Sequence, residues 1–218
     1  MSAHQRALIN IYQTLLTAFG PQNWWPANTP EEVLFGTILA QNTTWRNAES
    51  AIDALRSADK LSFRAIYHMD LHELAALVKP ARFLNQKAKT LKLFSTFFGN
   101  GYGFDLDRLR RVELWTLRER LLNLYRIGPE TADSILLYAL EKPIFVVDAY
   151  TRRLFSSHGF VKQNDSYDSI QKFFMDNLPK DVPMYNEFHA LIVRTGADYC
   201  KPRPLCHNCP LSSCGNIT

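Results

Sequence analysis

The four cysteines of this chain place the strongest constraint on its fold, because all of them lie near the C-terminal end. The chain has 218 residues, and its cysteines are Cys200, Cys206, Cys209 and Cys214. A disulfide framework normally spreads its cysteines along the chain so that each bridge joins distant segments. Four thiolates separated by five, two and four residues instead suit a metal centre, either a [4Fe–4S] cluster or a structural zinc ion.

Apolar residues recur at helical spacing along most of the chain, which predicts an all-α fold. Thr29 with Glu32 forms a capping box at one helix start. The only β-branched run, 144–147, is short and is interpreted as a buried connector, and the glycine-rich segment 99–103 is interpreted as a surface turn. The helical periods cover 8–19, 34–41, 51–55, 71–78, 87–98, 114–122 and 184–195.

The distribution of apolar residues argues against a secreted or a membrane-spanning protein, and the net charge only weakly favours a nucleic-acid-binding one. Residues 1–12 have no long apolar core, so they do not form a secretory signal. No apolar stretch approaches the roughly 18 residues that a membrane span needs. We therefore expect an intracellular protein that does not contact a membrane. The net charge of +4 is a modest excess, and by itself it is a weak indication of nucleic-acid binding.

The segment 121–155 carries the clearest functional signal. A helix ends near Asn123, a short turn containing Gly128 follows, and a second helix begins at Glu130. Main-chain N–H groups at such a hairpin can bind a phosphate, although an ordinary turn between two helices has the same pattern. Asp148 follows the buried connector and opens another helix, where it can act as the cap. A carboxylate there could also activate water, or stabilise the positive charge that develops on a sugar when its base departs.

This order of features resembles the helix-hairpin-helix DNA glycosylase superfamily, of the endonuclease III-like type. The resemblance places Asp148 on the catalytic aspartate and Gly128 on the second hairpin glycine, while Arg126 replaces the first glycine. Arginine does not easily adopt a positive φ, so the hairpin is distorted or Arg126 itself contacts phosphate. Glu130 stands where the lyases of the family carry a lysine nucleophile, and a carboxylate cannot form a Schiff base. The resemblance therefore implies a monofunctional glycosylase that uses water.

Three of the four tryptophans lie in two short segments, which we interpret as parts of a base pocket. They are Trp24, Trp25 and Trp45, and each taken alone is better explained as a core residue. Together with Glu130 and Asp148 they are similar to the pocket of the 3-methyladenine DNA glycosylase III group. The resemblance implies that the tryptophans stack on an extruded alkylated base and that Glu130 either lines the pocket or only stabilises its helix.

Other residues are predicted to contact DNA. The resemblance aligns Gln41 with a residue that fills the gap left by the extruded nucleotide. It aligns Phe83 with an apolar wedge between bases, although a core position explains Phe83 equally well. Lys87 could contact phosphate, but any solvated helix face can carry such a cation. The predicted DNA contacts are Gln41, Phe83, Lys87, Arg126 and Gly128.

The cysteine loop is similar to the family's cluster loop, in which four cysteines hold a [4Fe–4S] cluster. The family pattern has six, two and five intervening residues, so two gaps in this chain are each one residue shorter. The resemblance implies an iron–sulfur cluster with a structural or DNA-positioning role, and zinc stays the alternative. The alkylpurine group lacks this cluster, so its substrate does not transfer directly to this chain.

The resemblance covers nearly the whole chain and implies a two-lobed, all-α helix-hairpin-helix glycosylase fold. A central helical barrel would cover 23–133, and residues 1–22 with 134–218 would form a second lobe that carries the cluster loop at 200–214. The expected activity is hydrolysis of the N-glycosidic bond of a damaged, alkylated purine in double-stranded DNA by a monomer. A bifunctional glycosylase and lyase for oxidised pyrimidines, and a non-catalytic DNA-lesion binding module, are the alternatives.

Overall fold

The computed structural model describes residues 1–24, 27, 29–201 and 203–213, and Trp25 and Cys214 therefore lie outside the described residues. Within those ranges the regular structure is helical and includes no strand, which confirms the all-α prediction. The α-helices are α1 (Ala3–Phe19), α2 (Pro30–Leu39), α3 (Trp45–Ser57), α4 (Phe63–His68), α5 (Leu71–Leu77), α6 (Leu84–Tyr102), α7 (Leu106–Arg110), α8 (Leu114–Leu122), α9 (Pro129–Ser134), α10 (Ala149–Ser157), α11 (Tyr167–Asn177) and α12 (Val182–Asp198). Short 3-10 turns occur at Lys79–Ala81, Cys206–Asn208 and Pro210–Ser213, and a π-helical turn at Ile135–Ala139.

The helices fall into two compact units. The first unit joins residues 1–24 to the chain from Pro143 onward, and the second ends at Lys142. The sequence placed the corresponding boundaries at 22/23 and 133/134. The second boundary lies further along the chain because the π-helical turn Ile135–Ala139 is buried and packs against α2, inside the second unit. No helix among the described residues is long and apolar enough to cross a membrane.

Polar side chains cap the helix starts in the way the sequence predicts. Thr29 is the N-cap of α2, and its hydroxyl accepts a hydrogen bond from the main-chain N–H of Glu32 at 3.1 Å. The Glu32 carboxylate lies 3.3 Å from a guanidinium nitrogen of Arg56 in α3. The hydrogen bond from the Glu32 N–H to the Thr29 hydroxyl belongs to the expected capping box, and the Glu32 side chain also pairs with Arg56 of a neighbouring helix.

The connector before Asp148 is buried, as expected. Ile144, Phe145, Val146 and Val147 are each at most 2% exposed. The Phe145 ring stacks on Phe174 of α11 with centroids 4.1 Å apart, and the main-chain carbonyl of Phe145 accepts from the side-chain amide of Gln171. An extended segment without a strand partner needs such side-chain donors for its main chain. This anchoring fixes the point at which α10 begins.

Lysine side chains in the second unit satisfy main-chain carbonyls at helix ends. Lys92 of α6 donates to three carbonyls where α4 ends, those of Ile66, Tyr67 and Met69. Lys142 donates in the same way to the carbonyls of Arg110 and Val112 after α7. The last carbonyls of a helix have no partner within it, and a cation also suits the negative end of the helix dipole. These lysines are therefore structural.

The glycine-rich segment 99–103 is not the surface turn that the sequence suggested. Residues 99–102 form the last turn of α6, and Gly103 ends the helix with φ at +65°. Gly99 is needed for packing, because a Cβ there would lie 2.5 Å from the Phe104 ring. Closely spaced glycines thus mark a helix end folded tightly against the next residues.

A buried ion pair ties α8 to α9. The guanidinium of Arg118 holds both carboxylate oxygens of Asp133, at 2.7 and 3.1 Å. The Asp133 side chain is fully buried and that of Arg118 is 12% exposed. Removal of one partner from such a pair leaves an uncompensated charge in the core.

We expect Arg118→Ala to lower the free energy of unfolding by about 3–5 kcal/mol, because it removes the guanidinium that holds both oxygens of the buried Asp133 carboxylate. Urea denaturation followed by circular dichroism measures the loss. Arg108→Ala is the matched control, since its pair with Asp105 is 65% and 45% exposed and should contribute under about 1 kcal/mol. Equal losses for the two variants would contradict the special role of the buried pair.

Candidate functional site

Asp148 lies at the N-cap of α10 with its carboxylate held in a defined orientation. One oxygen, Oδ1, accepts from the main-chain N–H of Thr151 at 2.7 Å and from the Thr151 hydroxyl at 2.8 Å. The other oxygen, Oδ2, lies 3.8 Å from Nε2 of His189, and the Asp148 side chain is 13% exposed. Asp148 can therefore cap α10 and still serve as a catalytic carboxylate, because the cap engages only one of its oxygens.

His189 reaches Asp148 because α12 packs very closely on α10. Gly196 of α12 lies against Tyr150 of α10, and a Cβ at Gly196 would lie 2.4 Å from the Tyr150 ring. Burial lowers the pKa of His189 below its ordinary value, and the nearby Asp148 charge raises it in opposition. Because burial is the larger influence, the imidazole is neutral at physiological pH.

The hairpin between α8 and α9 is anchored by Gln41, one of the residues the sequence singled out. The side-chain nitrogen Nε2 of Gln41 donates to the main-chain carbonyl of Arg126 at 3.0 Å and to the Thr131 hydroxyl at 2.9 Å. Arg126 has φ at +56°, a left-handed conformation that glycine adopts far more readily than arginine. Such a conformation in a residue with a Cβ costs about 1–3 kcal/mol and persists only when its surroundings hold it. The hydrogen bond from Gln41 to the Arg126 carbonyl helps to stabilise this conformation.

Positive charge gathers on the exposed side of this hairpin. Tyr125 is 36% exposed, and its ring lies 4.5 Å from the Lys89 amine and 5.8 Å from the Arg126 guanidinium carbon. Gly128 is exposed, and the space into which its Cβ would project is open. The hairpin therefore combines two cations with an open main chain, which suits contact with phosphate.

Phe83 lies on the surface and not in the core. Its side chain is 54% exposed, and it precedes α6 with φ at +46°, directly after Arg82 with φ at +62°. Two consecutive non-glycine residues in the left-handed region form a tight, strained loop that presents the ring outward. Of the two interpretations that the sequence allowed for Phe83, this placement favours the wedge.

Lys87 does not lie where a phosphate contact requires it. It is 3% exposed, and its amine donates to the main-chain carbonyls of Leu39, at the end of α2, and Ala81. Burial lowers the pKa of Lys87 to about 8. The expected DNA contact is therefore corrected, because the side chain points into the unit to cap α2. Lys89, two residues later, is exposed instead.

The residues expected to form the base pocket are divided between the two units. Trp24 belongs to the first unit and is partly buried. Trp45 begins α3 and Glu130 lies exposed in the first turn of α9, both in the second unit. Trp25 lies outside the described residues. Their role as a pocket stays a prediction.

Three of the four cysteines surround one cavity in the first unit. Cys200, Cys206 and Cys209 line a space of about 250 Å³. The Arg153 side chain of α10 donates to the main-chain carbonyls of Gly196 and Cys200, so it fixes the start of the loop. Among the described residues, which omit Cys214, no group of three His, Cys, Asp or Glu side chains is arranged to hold an ion. The three cysteines nevertheless line one cavity, and thiolates are the donors that hold an iron–sulfur cluster or a zinc ion.

The sequence did not assign a role to three residues that support these sites, namely Thr151, Arg153 and His189. The available signal was in α12, where His189 interrupts an otherwise apolar stripe that includes Phe188 and Ile192. A buried histidine in such a stripe needs a polar neighbour, and the sequence does not show which neighbour it has.

Comparison with known proteins identifies relatives of this arrangement. Residues 35–180 match the model of the HhH-GPD superfamily of base excision DNA repair proteins. A protein of Methanocaldococcus jannaschii named as a candidate DNA repair glycosylase is 46% identical over 206 residues, which are 94% of this chain and 93% of that protein.

Solved structures show the same similarity. The H. pylori 3-methyladenine DNA glycosylase bound to 1,N6-ethenoadenine is 29% identical, with a TM-score of 0.73 over 88% of this chain and 95% of that one. A non-covalent endonuclease III–DNA complex has a TM-score of 0.81 at 20% identity and covers 98% of this chain and 95% of its own. The latter similarity concerns the fold.

Two hairpin variants separate charge from main-chain anchoring. We expect Arg126→Gly to reduce the salt dependence of binding to an undamaged duplex by about one unit of log–log slope, since one cation is lost. Gln41→Ala should leave that slope unchanged and weaken binding by about 1 kcal/mol, because the hairpin loses two hydrogen bonds. Fluorescence anisotropy at several salt concentrations measures both quantities. An unchanged slope for Arg126→Gly would exclude a phosphate contact by Arg126.

Proposed function

Because the chain belongs to the HhH-GPD superfamily of base excision DNA repair proteins and is a DNA glycosylase, we propose that it hydrolyses the N-glycosidic bond of an alkylated purine without lyase chemistry. The observation that carries this proposal is the Asp148 carboxylate, held through Oδ1 by Thr151. As the base departs, positive charge develops on the sugar, and a fixed carboxylate stabilises that charge and orients the attacking water. The cationic alkylated base leaves with the bonding electron pair as a neutral molecule, water supplies the hydroxyl group to C1′, and the remaining proton of the water passes to the carboxylate and then to solvent.

The absence of a lysine at position 130 supports hydrolysis by water. Glu130 cannot attack a sugar as an amine. The buried Lys87 has a lowered pKa, the property that an amine nucleophile needs, but its amine is engaged with two main-chain carbonyls inside the second unit. Lys87 is therefore not a substitute nucleophile, and this argues against the alternative of a bifunctional lyase for oxidised pyrimidines.

The choice of an alkylated purine rests on the aromatic residues and on one relative. Trp24, Trp25 and Trp45 would stack on the extruded base, with Glu130 beside it, and stacking is worth about 1–3 kcal/mol per base. An alkylated purine is electron-poor and stacks more strongly on an aromatic face. The H. pylori structure, 29% identical to this chain, contains a modified purine.

The DNA would be held by the hairpin and by the strained loop at Phe83. Lys89 and Arg126 would place their positive charges against the DNA phosphates. The exposed Phe83 ring would enter the base stack as a wedge. In this structure Gln41 is hydrogen-bonded to the hairpin. To fill the gap left by an extruded nucleotide, it would have to release these two hydrogen bonds.

The cysteine loop would hold a [4Fe–4S] cluster through Cys200, Cys206, Cys209 and Cys214. The proposal is supported by the position of three of these residues along one cavity, and Arg153 fixes the main chain at the first of them. When bound, the cluster would cross-link the loop through metal–thiolate bonds, which is a structural contribution. Zinc is the alternative for the same donor set.

Asp148→Asn tests the proposed chemistry. Asparagine also caps helices well, so we expect the variant to fold, while release of 3-methyladenine from methylated duplex DNA falls by about 10²-fold or more. Free bases are quantified by chromatography, and strand breaks are scored with and without alkali. The wild type should give breaks only after alkali.

Two outcomes of this experiment would contradict the proposal. Strand breaks without alkali, together with a DNA adduct trapped by borohydride, would indicate a lyase with an amine nucleophile. Full activity of Asp148→Asn, with an unchanged melting temperature, would show that Asp148 is only a helix cap.

Metal analysis of the anaerobically purified protein tests the cofactor. We expect about four iron atoms and four sulfides per chain, and we expect Cys206→Ser to lose them together with part of the thermal stability. Leu205→Ala is a matched control in the same exposed loop and should keep the full iron content. One zinc atom per chain without iron would replace the cluster by the alternative.

A further inference from the structure

His189 is a buried polar residue that the proposed reaction does not yet use. It lies in the middle of α12 and is 5% exposed, on a helix face whose other buried members include Tyr185, Phe188 and Ile192. Placing an imidazole among apolar side chains is unfavourable unless a polar group compensates it. The Asp148 carboxylate, at 3.8 Å from Nε2, is such a group.

The geometry around Asp148 assigns different partners to its two oxygens. Thr151 donates twice to Oδ1, and Nε2 of His189 faces Oδ2. The carboxylate is thus held at Oδ1 by its own helix and approached at Oδ2 by α12. The close contact of Gly196 with Tyr150 sets how near α12 can come.

We propose that His189 is a positioning residue, which as a neutral imidazole protonated on Nε2 directs its N–H at Oδ2 of Asp148 and keeps this oxygen oriented for catalysis. This inference rests on the proposed function of Asp148. The separation of 3.8 Å is too long for a hydrogen bond, and it is a charge–dipole contact in the protein without substrate. Catalytic hydrogen bonds that are long in the free enzyme often tighten when substrate binds.

The chemistry of the pair determines which tautomer is required. Burial lowers the pKa of His189 and so favours the neutral ring, which carries one proton on either Nδ1 or Nε2. A proton on Nε2 points the positive end of the dipole at the carboxylate. A bare Nε2 would present a lone pair to a negative oxygen and repel it. The nitrogen that carries the proton therefore distinguishes a positioning residue from a histidine that only fills space.

Nitrogen NMR of the imidazole rings tests this assignment without reference to activity. The chain has six histidines, and the His189 signals are identified by their loss in His189→Gln. We expect a neutral ring protonated on Nε2 at neutral pH, and a change of its shifts in Asp148→Asn. A neutral ring protonated on Nδ1, with a bare Nε2, would overturn the proposal even if Asp148 is catalytic.

Single-turnover kinetics provides the second test. We expect His189→Leu to slow base release from methylated duplex DNA by about tenfold, equivalent to about 1.4 kcal/mol, with unchanged affinity for the duplex. His189→Gln keeps an N–H near the position of Nε2 and should recover most of the rate. Tyr185→Phe is the control, since it removes another buried polar atom from the same helix and should retain the wild-type rate.

The outcomes distinguish this inference from the proposed function. Wild-type rates for His189→Leu, alongside an inactive Asp148→Asn, would overturn the role of His189 alone. Equal losses in His189→Leu and His189→Gln, or weaker duplex binding with an unchanged single-turnover rate at saturation, would assign His189 to structure and overturn the proposal. If His189→Leu does not fold, the glutamine variant and the NMR measurement still decide.

Discussion

The close approach of α12 to α10 is the contact on which the functional part of the first unit depends. A side chain at Gly196 would collide with Tyr150, so glycine sets the spacing of the two helices. At this spacing His189 faces Asp148 at the start of α10, and Arg153, further along the same helix, reaches the last carbonyls of α12. One helix pair therefore supports both the carboxylate and the beginning of the cysteine loop.

The last main-chain carbonyls of a helix have no hydrogen-bond donor within it, and cationic side chains supply donors at several helix ends in this protein. Lys87, Lys92 and Lys142 donate to the carbonyls that end α2, α4 and α7. A cation buried in this way stabilises the fold and is not available to phosphate. Net charge and lysine positions are for this reason weak guides to a DNA-binding surface. The exposed cations around Tyr125 are better candidates, because the fold leaves them on the surface.

Three of the non-glycine residues with a strained main chain lie on the surface that we associate with DNA. Arg82, Phe83 and Arg126 all have positive φ values, and each belongs to a loop that presents a ring or a charge outward. Natural chains retain such conformations where the surroundings hold them. At the hairpin the hold includes the two hydrogen bonds from Gln41. An arginine can therefore hold a positive φ in this turn and add a positive charge to its surface.

Local patterns in the sequence determined much of this protein. Helical periodicity, the cap at Thr29, the buried connector and the aspartate that follows it all depend on neighbours within a few residues, and the structure agrees with them. The identity of residue 130, a carboxylate in place of an amine, is likewise a property of the sequence alone. The chemistry of a side chain and its short-range steric preferences depend only on the residue and its neighbours in the sequence. They can therefore be predicted without knowledge of the fold.

Only the tertiary structure decided which distant residues meet. His189 lies 41 positions after Asp148 and Gln41 lies 85 positions before Arg126, and helical spacing on one element does not specify its partner on another. The same reason explains why Lys87 turned inward and why the glycines at 99–103 ended a helix rather than a loop. Whether a side chain is a ligand, a cap or a core residue depends on the burial and charge around it, and these exist only once the helices have packed.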